Sequence, residues 1–220
     1  MKMTKKKVFV SALALCLIAI ISAGTLAWFS DSDEVDNYFQ VSTDEQQKPD
    51  FQITLYETEV DPSTNEFGDA NGNGVIDKVK VNTYTNILPG DVLPKDPTVR
   101  NDGQYGQWVR MKVTLNDYDQ WQAVLGTGFD FRTLFNVSTA WSFDTIITDE
   151  TAKTLTLVYY LDDELTVGST SEALFDKVTI PSAFTVENMP TNFNLKIVAE
   201  ALQSKNTGTN AKEAFESCWR

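Results

Sequence analysis

VRMKVTL, residues 109–115, decides the fold. Val109, Met111, Val113 and Leu115 alternate with Arg110, Lys112 and Thr114. A period of two is that of a strand with one buried face. The pattern recurs along the chain. Phe51, Ile53 and Leu55 alternate with Gln52 and Thr54. Leu155, Leu157, Tyr159 and Leu161 form another apolar face, and Phe193, Leu195, Ile197, Ala199 and Ala201 form the last. Less regular strands are expected over residues 77–87, 141–148 and 177–180. Turn residues separate them at Pro89-Gly90-Asp91, Asn101-Asp102-Gly103 and Asp162-Asp163. Helix is scarce. Residues 116–125 predict one short helix, capped by Asn116 or Asp117 and ended by Gly126. Residues 211–219 predict a second, capped by Asn210. Many short strands with frequent turns predict a mainly-β chain: a single jelly-roll-like β-sandwich with one or two short helices, spanning residues 51–220.

Ahead of that domain the composition changes. Lys2, Lys5, Lys6 and Lys7 form a basic head, and residues 8–21 carry no charge. This is the layout of a secretory signal peptide. Ala23, Gly24, Thr25 and Ala27 supply small residues near its end, and Ala27–Trp28 is the expected scissile bond, giving a leader of residues 1–27. A membrane anchor is the competing reading, since the uncharged run 8–30 has 23 residues and about 20 suffice to span a bilayer. The small, helix-poor stretch before Asp31 argues for cleavage, so contact with the membrane is expected only before it. Cys16 follows Leu15 inside the apolar run, which does not suit lipid attachment. Residues 28–50 are acidic and weakly patterned. They read as a mobile arm, with one strand expected around residues 38–41.

The chain has 220 residues, 18 basic and 31 acidic, for a net charge of −13. Losing the four leader lysines makes it −17. A core is affordable at this length, and 42% hydrophobic residues set it apart from disordered acidic tails. Such charge is repelled by nucleic-acid backbones and anionic membranes, so nucleic-acid binding is excluded. Only Cys218 remains after cleavage, so no internal disulfide can form and the fold must rest on its core. That cysteine is either inert and partly buried or available for intermolecular pairing.

Catalytic chemistry is thin. The sequence has no histidine, which removes Ser-His-Asp and Cys-His machinery and the His-Glu-x-x-His zinc motif. Carboxylate pairs are unavoidable among 31 acids and are no signal by themselves. The chain is therefore read as a non-enzyme. Residues 69–77, DANGNGVID, place oxygens at Asp69, Asn71 and Asn73, then Gly74, with Asp77 in the ninth position. This is how a calcium loop begins. The twelfth position, however, is Lys80 where a bidentate Glu belongs. Two readings stand: a weak calcium site completed by Asp61 or Glu66, or an Asn-Gly-rich hairpin loop. Trp108, Trp121, Trp141, Tyr159 and Tyr160 could make a sugar platform, or fill the core. Leu88-Pro89-Gly90-Asp91 is not at the C-terminus and is no sortase signal.

Three stretches carry a resemblance. GTLAWFSDSDEVDNYF (residues 24–39) joins an Ala-Gly-Thr-x-Ala end to an aromatic pair, then Asp31, Asn37 and Phe39. NILPGDVLPKDPTVRNDGQYGQWVRMKVTL spans residues 86–115. NLKIVAEALQSKN (residues 194–206) is followed by AKEAFESCW (residues 211–219). Together these resemble the TasA, camelysin (CalY) and BsaA group of biofilm matrix proteins exported through a SipW-type signal peptidase. The resemblance implies a secreted subunit of extracellular fibres, partnered by copies of itself or by related matrix subunits. It implies that the N-terminal arm completes the sheet of a neighbour by strand addition, with Trp28, Phe29, Tyr38 and Phe39 as anchors. The protease activity described for some camelysins does not carry over, because no residue matches a zinc motif. The alternatives to a fibre subunit are a wall-polysaccharide-binding module and a camelysin-like protease.

Overall fold

The alternation at residues 109–115 builds β8 (Gln107–Leu115), the middle strand of a five-stranded sheet. The computed structural model describes residues 30–34, 51–190 and 194–218. On one side β8 pairs with β13 (Leu195–Gln203), and beyond it lies β1 (Ser30–Glu34). On the other it pairs with β11 (Thr154–Leu161), then β10 (Trp141–Asp149). Every pairing is antiparallel, and the register explains the core. Met111 sits between Tyr159 and Ala199, Val113 between Leu157 and Ile197, and Leu115 between Leu155 and Leu195. All these residues except Leu195 are at most 3% exposed.

A second layer covers this apolar face. It is made of two small sheets rather than one. The first orders β6 (Val92–Pro94), β12 (Phe175–Thr179) and β9 (Phe135–Val137). The second orders β5 (Lys78–Val79), β2 (Ile53–Thr58) and β7 (Thr98–Asn101). A hairpin of β3 (Val60–Asp61) and β4 (Glu66–Phe67) extends from β2. Ile53, Leu55, Leu93, Val99, Phe135, Phe175 and Val178 enter the same hydrophobic cluster as the large sheet. Two packed layers around one core are a β-sandwich, as the sequence led us to expect.

Helix α1 (Tyr118–Leu125) plugs one end of the sandwich. Its Trp121 meets Phe184 edge-on at 5.2 Å. Asp117 is its N-cap, but at φ 50° its side chain makes no cap hydrogen bond, while Gly126 ends the helix as expected at φ 88°. Helix α2 (Ala211–Cys218) lies on the outer face of the large sheet. Asn210 Oδ1 accepts from Glu213 N–H at 2.9 Å, the N-cap bond foreseen. Ala211, Ala214 and Phe215 bury Trp108, Tyr160 and Leu202 beneath it. Beside them Glu200, only 6% exposed, takes bonds from both Arg110 and Lys112. The Arg110 guanidinium stacks 4.3 Å from the Phe215 ring centroid.

The expected strand over residues 77–87 is mostly absent; only Lys78–Val79 is extended and paired. The reason lies at Asn82. Its Oδ1 accepts from Val60 N–H and its Nδ2 donates to Thr58 O, each at 2.9 Å. One side chain thus does what a strand's backbone would do, and the segment needs no ladder. The last expected helical residue, Trp219, and Phe193 lie outside the described residues. Cys218 is a free, half-buried thiol packed against the α2 cluster.

Candidate functional site

Three places could carry function: the edges of the large sheet, the 69–77 loop, and a cleft at the end of β9. At the first edge, β1 follows the register Ser30↔Leu202 to Glu34↔Val198. It begins at the third residue after the expected cleavage point. The predicted strand at residues 38–41 lies outside the described residues, as do Ala27, Trp28, Phe29, Tyr38 and Phe39. The arm does supply a strand, but from SDSDE, a stretch the period-two argument passed over. Acidic residues mark an edge strand rather than a central one, because charge there deters unwanted pairing. The β1 ladder stops at Val198, so Leu195 to Ile197 extend past it while still pairing with β8. The opposite edge is β10. It has a bulge between Phe143 and Thr145, and Ile146 and Ile147 are 41% and 53% exposed.

In the second place, Asp69, Asn71, Asn73 and Asp77 do come together. The Asp69 carboxylate accepts from the N–H groups of Gly72 at 2.7 Å, Asn73 at 3.1 Å and Gly74 at 2.6 Å. These bonds, the one from Gly74 foremost, hold its pKa below the usual carboxylate value. Asn71 and Asn73 both donate from Nδ2 to Asp77 Oδ2 at 3.0 Å. Buried Glu59 lies beneath, accepting from Asp77 N–H at 3.2 Å and Asn71 Nδ2 at 3.4 Å. The oxygens of the calcium motif are thus engaged by the loop's own donors. Among the described residues, no group of three or more Asp, Glu or Cys side chains is gathered in a way that could hold a metal. The other acids proposed to complete the site are Asp61, which caps its own turn through Ser63 at 2.8 Å, and Glu66, which is exposed on β4.

The third place was missed in the sequence. Asp130 caps a short 3-10 turn (Phe131–Leu134) by accepting from Arg132 N–H. The Arg132 guanidinium then turns back to the same carboxylate at 2.8 and 2.6 Å. It also lies 4.8 Å from the Phe143 ring centroid. Asp-x-Arg ahead of an apolar pair was the only signal, and it is a common one. This pair stands at the mouth of a cleft of about 420 Å³ that includes Val137, Ser138, Trp141 and Tyr159. The aromatic residues weighed as a sugar platform present no exposed stacking face. Trp108, Trp121, Trp141, Tyr159 and Tyr160 are all 8% exposed or less.

No family model, no curated protein and no solved structure matches this chain. Its function must therefore be argued from the geometry and the sequence. Among the described residues, no helix is long and apolar enough to cross a membrane; the apolar run at residues 8–30 lies almost wholly outside them.

Proposed function

We propose that the chain is an exported structural subunit of extracellular matrix fibres, of the kind the TasA, camelysin and BsaA resemblance implies. In this reading a SipW-type peptidase frees the N-terminus at Trp28. The arm of one subunit then enters the sheet of the next, in a homopolymer or with related subunits. The observation that carries the reading is the place of β1. Among the described residues it is a strand of five residues on a sheet edge, laddered to β13 alone. A strand so placed can be exchanged for the same strand of a neighbour with every backbone bond re-formed. Head-to-tail exchange does not close on itself and gives filaments. No catalytic role is proposed, consistent with the missing histidine. Calcium, if it binds at Asp69 to Asp77, would act on assembly by offsetting the repulsion between acidic subunits.

The test compares the chain beginning at Trp28 with one beginning at residue 42. Filaments of regular repeat are expected from the first by negative-stain microscopy. The second should yield folded monomers by circular dichroism and sedimentation. Filaments in equal yield from both would refute strand exchange.

A further inference from the structure

The cleft at the end of β9 combines features that the fibre reading does not use. Its floor holds Tyr159, 2% exposed, whose hydroxyl has no hydrogen-bond partner. A buried, unpaired hydroxyl costs about 1–3 kcal/mol, and native structures rarely leave one without reason. Burial also pushes the Tyr159 pKa up to about 12, so the phenol stays a neutral donor and acceptor. One wall is apolar: Phe135, Val137 and Phe143, the last edge-on to Tyr159 at 5.5 Å. The other is polar. Ser138 Oγ donates to Glu172 at 2.6 Å and accepts from Ala140 N–H at 3.2 Å, leaving one lone pair, and the Asp130–Arg132 pair stands half exposed at the mouth. Trp141 is held in place by its Nε1–H to Glu172 O at 3.1 Å.

Charge narrows the ligand class. Arg132 is neutralised by Asp130, and the chain as a whole is at −13, so polyanions are repelled. A cation would find the Asp130 and Glu172 carboxylates already engaged, by Arg132 and by Ser138 Oγ. What remains is a neutral molecule with one apolar face and several hydroxyls. A pyranose ring has this make-up: axial C–H groups for an aromatic or aliphatic wall, and hydroxyls for a carboxylate and a phenol. The hollow is shallow and open, and its volume of about 420 Å³ lies in the range of small-molecule sites, about 300–1,000 Å³. We infer that this cleft, with Tyr159 at its floor and Asp130 and Arg132 at its mouth, binds a neutral hexose or N-acetylhexosamine unit of a glycan chain. Because the Tyr159 hydroxyl is buried, the half-exposed Arg132 side chain must shift off Phe143 for a sugar to reach it. The inference does not depend on fibre formation, since the cleft lies on β9–β11 and the 3-10 turn, away from β1.

The test is a nitrogen-15 NMR titration of the purified full chain with triacetylchitotriose, cellotriose and laminaritriose at millimolar concentration. Polygalacturonate serves as the anionic control. Shifts confined to Val137, Ser138 and the Trp141 indole with at least one neutral trisaccharide are expected. Tyr159→Phe keeps the ring and removes only the hydroxyl. It should weaken binding by roughly 3–10-fold, the worth of one neutral hydrogen bond, while the melting temperature holds or rises. Should that variant fail to fold, Asp130→Asn serves in its place, because an amide oxygen still caps the turn; the same loss is expected. No shift with any neutral trisaccharide, shifts scattered outside the cleft, or unchanged affinity in the folded variant would each overturn the assignment.

Discussion

Replacing Asn101 by Ala should be among the costliest single changes to this fold. Asn101 ends β7 and is fully buried. Its Nδ2 donates to Tyr105 O at 2.8 Å and to Leu165 O at 2.9 Å, and its Oδ1 accepts from Gly103 N–H at 3.0 Å. One side chain thus ties the β7–β8 turn to the segment after β11. Alanine removes all three bonds. Leu165 O keeps Gln107 N–H and Gly103 N–H keeps Gln52 O, so those two groups are not stranded. Three net bonds at about 1 kcal/mol each give a loss of roughly 3 kcal/mol, while the carbonyl of exposed Tyr105 can turn to water. In a domain of this size that lowers Tm by about 6–12 °C. Urea unfolding followed by tryptophan fluorescence should show the midpoint fall with an unchanged slope. A loss below about 1 kcal/mol would show that the turn finds equivalent partners in water, and the argument from Asn101 would fail.

Further outcomes follow from the same contacts. Leu157→Ala, at a fully buried site facing Val113, should cost about 2–5 kcal/mol, read by the same urea assay. Alkali should unfold the chain between about pH 10 and 12. The Tyr118 phenol is pushed up to about 12, first by its bond to Glu150, and that of Tyr159 to about 12, first by burial. Both pKa values are raised, so their contribution is whole below the unfolded value near 10 and is lost as pH climbs through the folded one; thermal melts across this range check it. Acid acts with the opposite sign. Asp69, Asp130 and Asp149 have lowered pKa values, set chiefly by Gly74 N–H, the Arg132 side chain and Ala152 N–H respectively. Their contribution is present above the unfolded carboxylate value near 4 and fades as pH drops through the folded values. Melts from pH 6 downward should show the decline. Calcium at tenfold its dissociation constant should raise stability by about 1.4 kcal/mol if the 69–77 loop binds it, and Asp69→Ala should erase that gain in calorimetry.

The sheet that organises the fold was legible because its core is regular. Val109, Met111, Val113 and Leu115 face Leu155, Leu157 and Tyr159 on one side and Leu195, Ile197 and Ala199 on the other, each written with the same period. The second layer was harder to read. Only β2 carried the period, at Ile53 and Leu55; the other strands are two to five residues long, too short for alternation to rise above chance, and Asn82 replaces a strand with an amide. The acidic SDSDE of β1 carries no apolar period at all, so nothing in its pattern pointed to the ladder it makes with β13. The loop was legible as a motif, but not the direction of its amides, which depends on Asp77 and Glu59. The cleft stayed hidden because it joins residues from 130 to 159 whose proximity only the tertiary fold creates.

The middle strand waits for the end of the chain. Arg110 on β8 meets Glu200 on β13 across 90 residues, and β1 likewise pairs with distant β13. Within the large sheet, among the described residues, only β10 and β11 are sequence neighbours that pair. High separation between partners slows folding, and here it also sets its timing: the large sheet cannot close before residue 203 is free. Until residues 195–203 are made, β8 has β11 as its partner in the large sheet and its other edge stays open. Moving β13 ahead of β8 by circular permutation should speed folding several-fold at equal stability, a change that stopped-flow fluorescence would read directly.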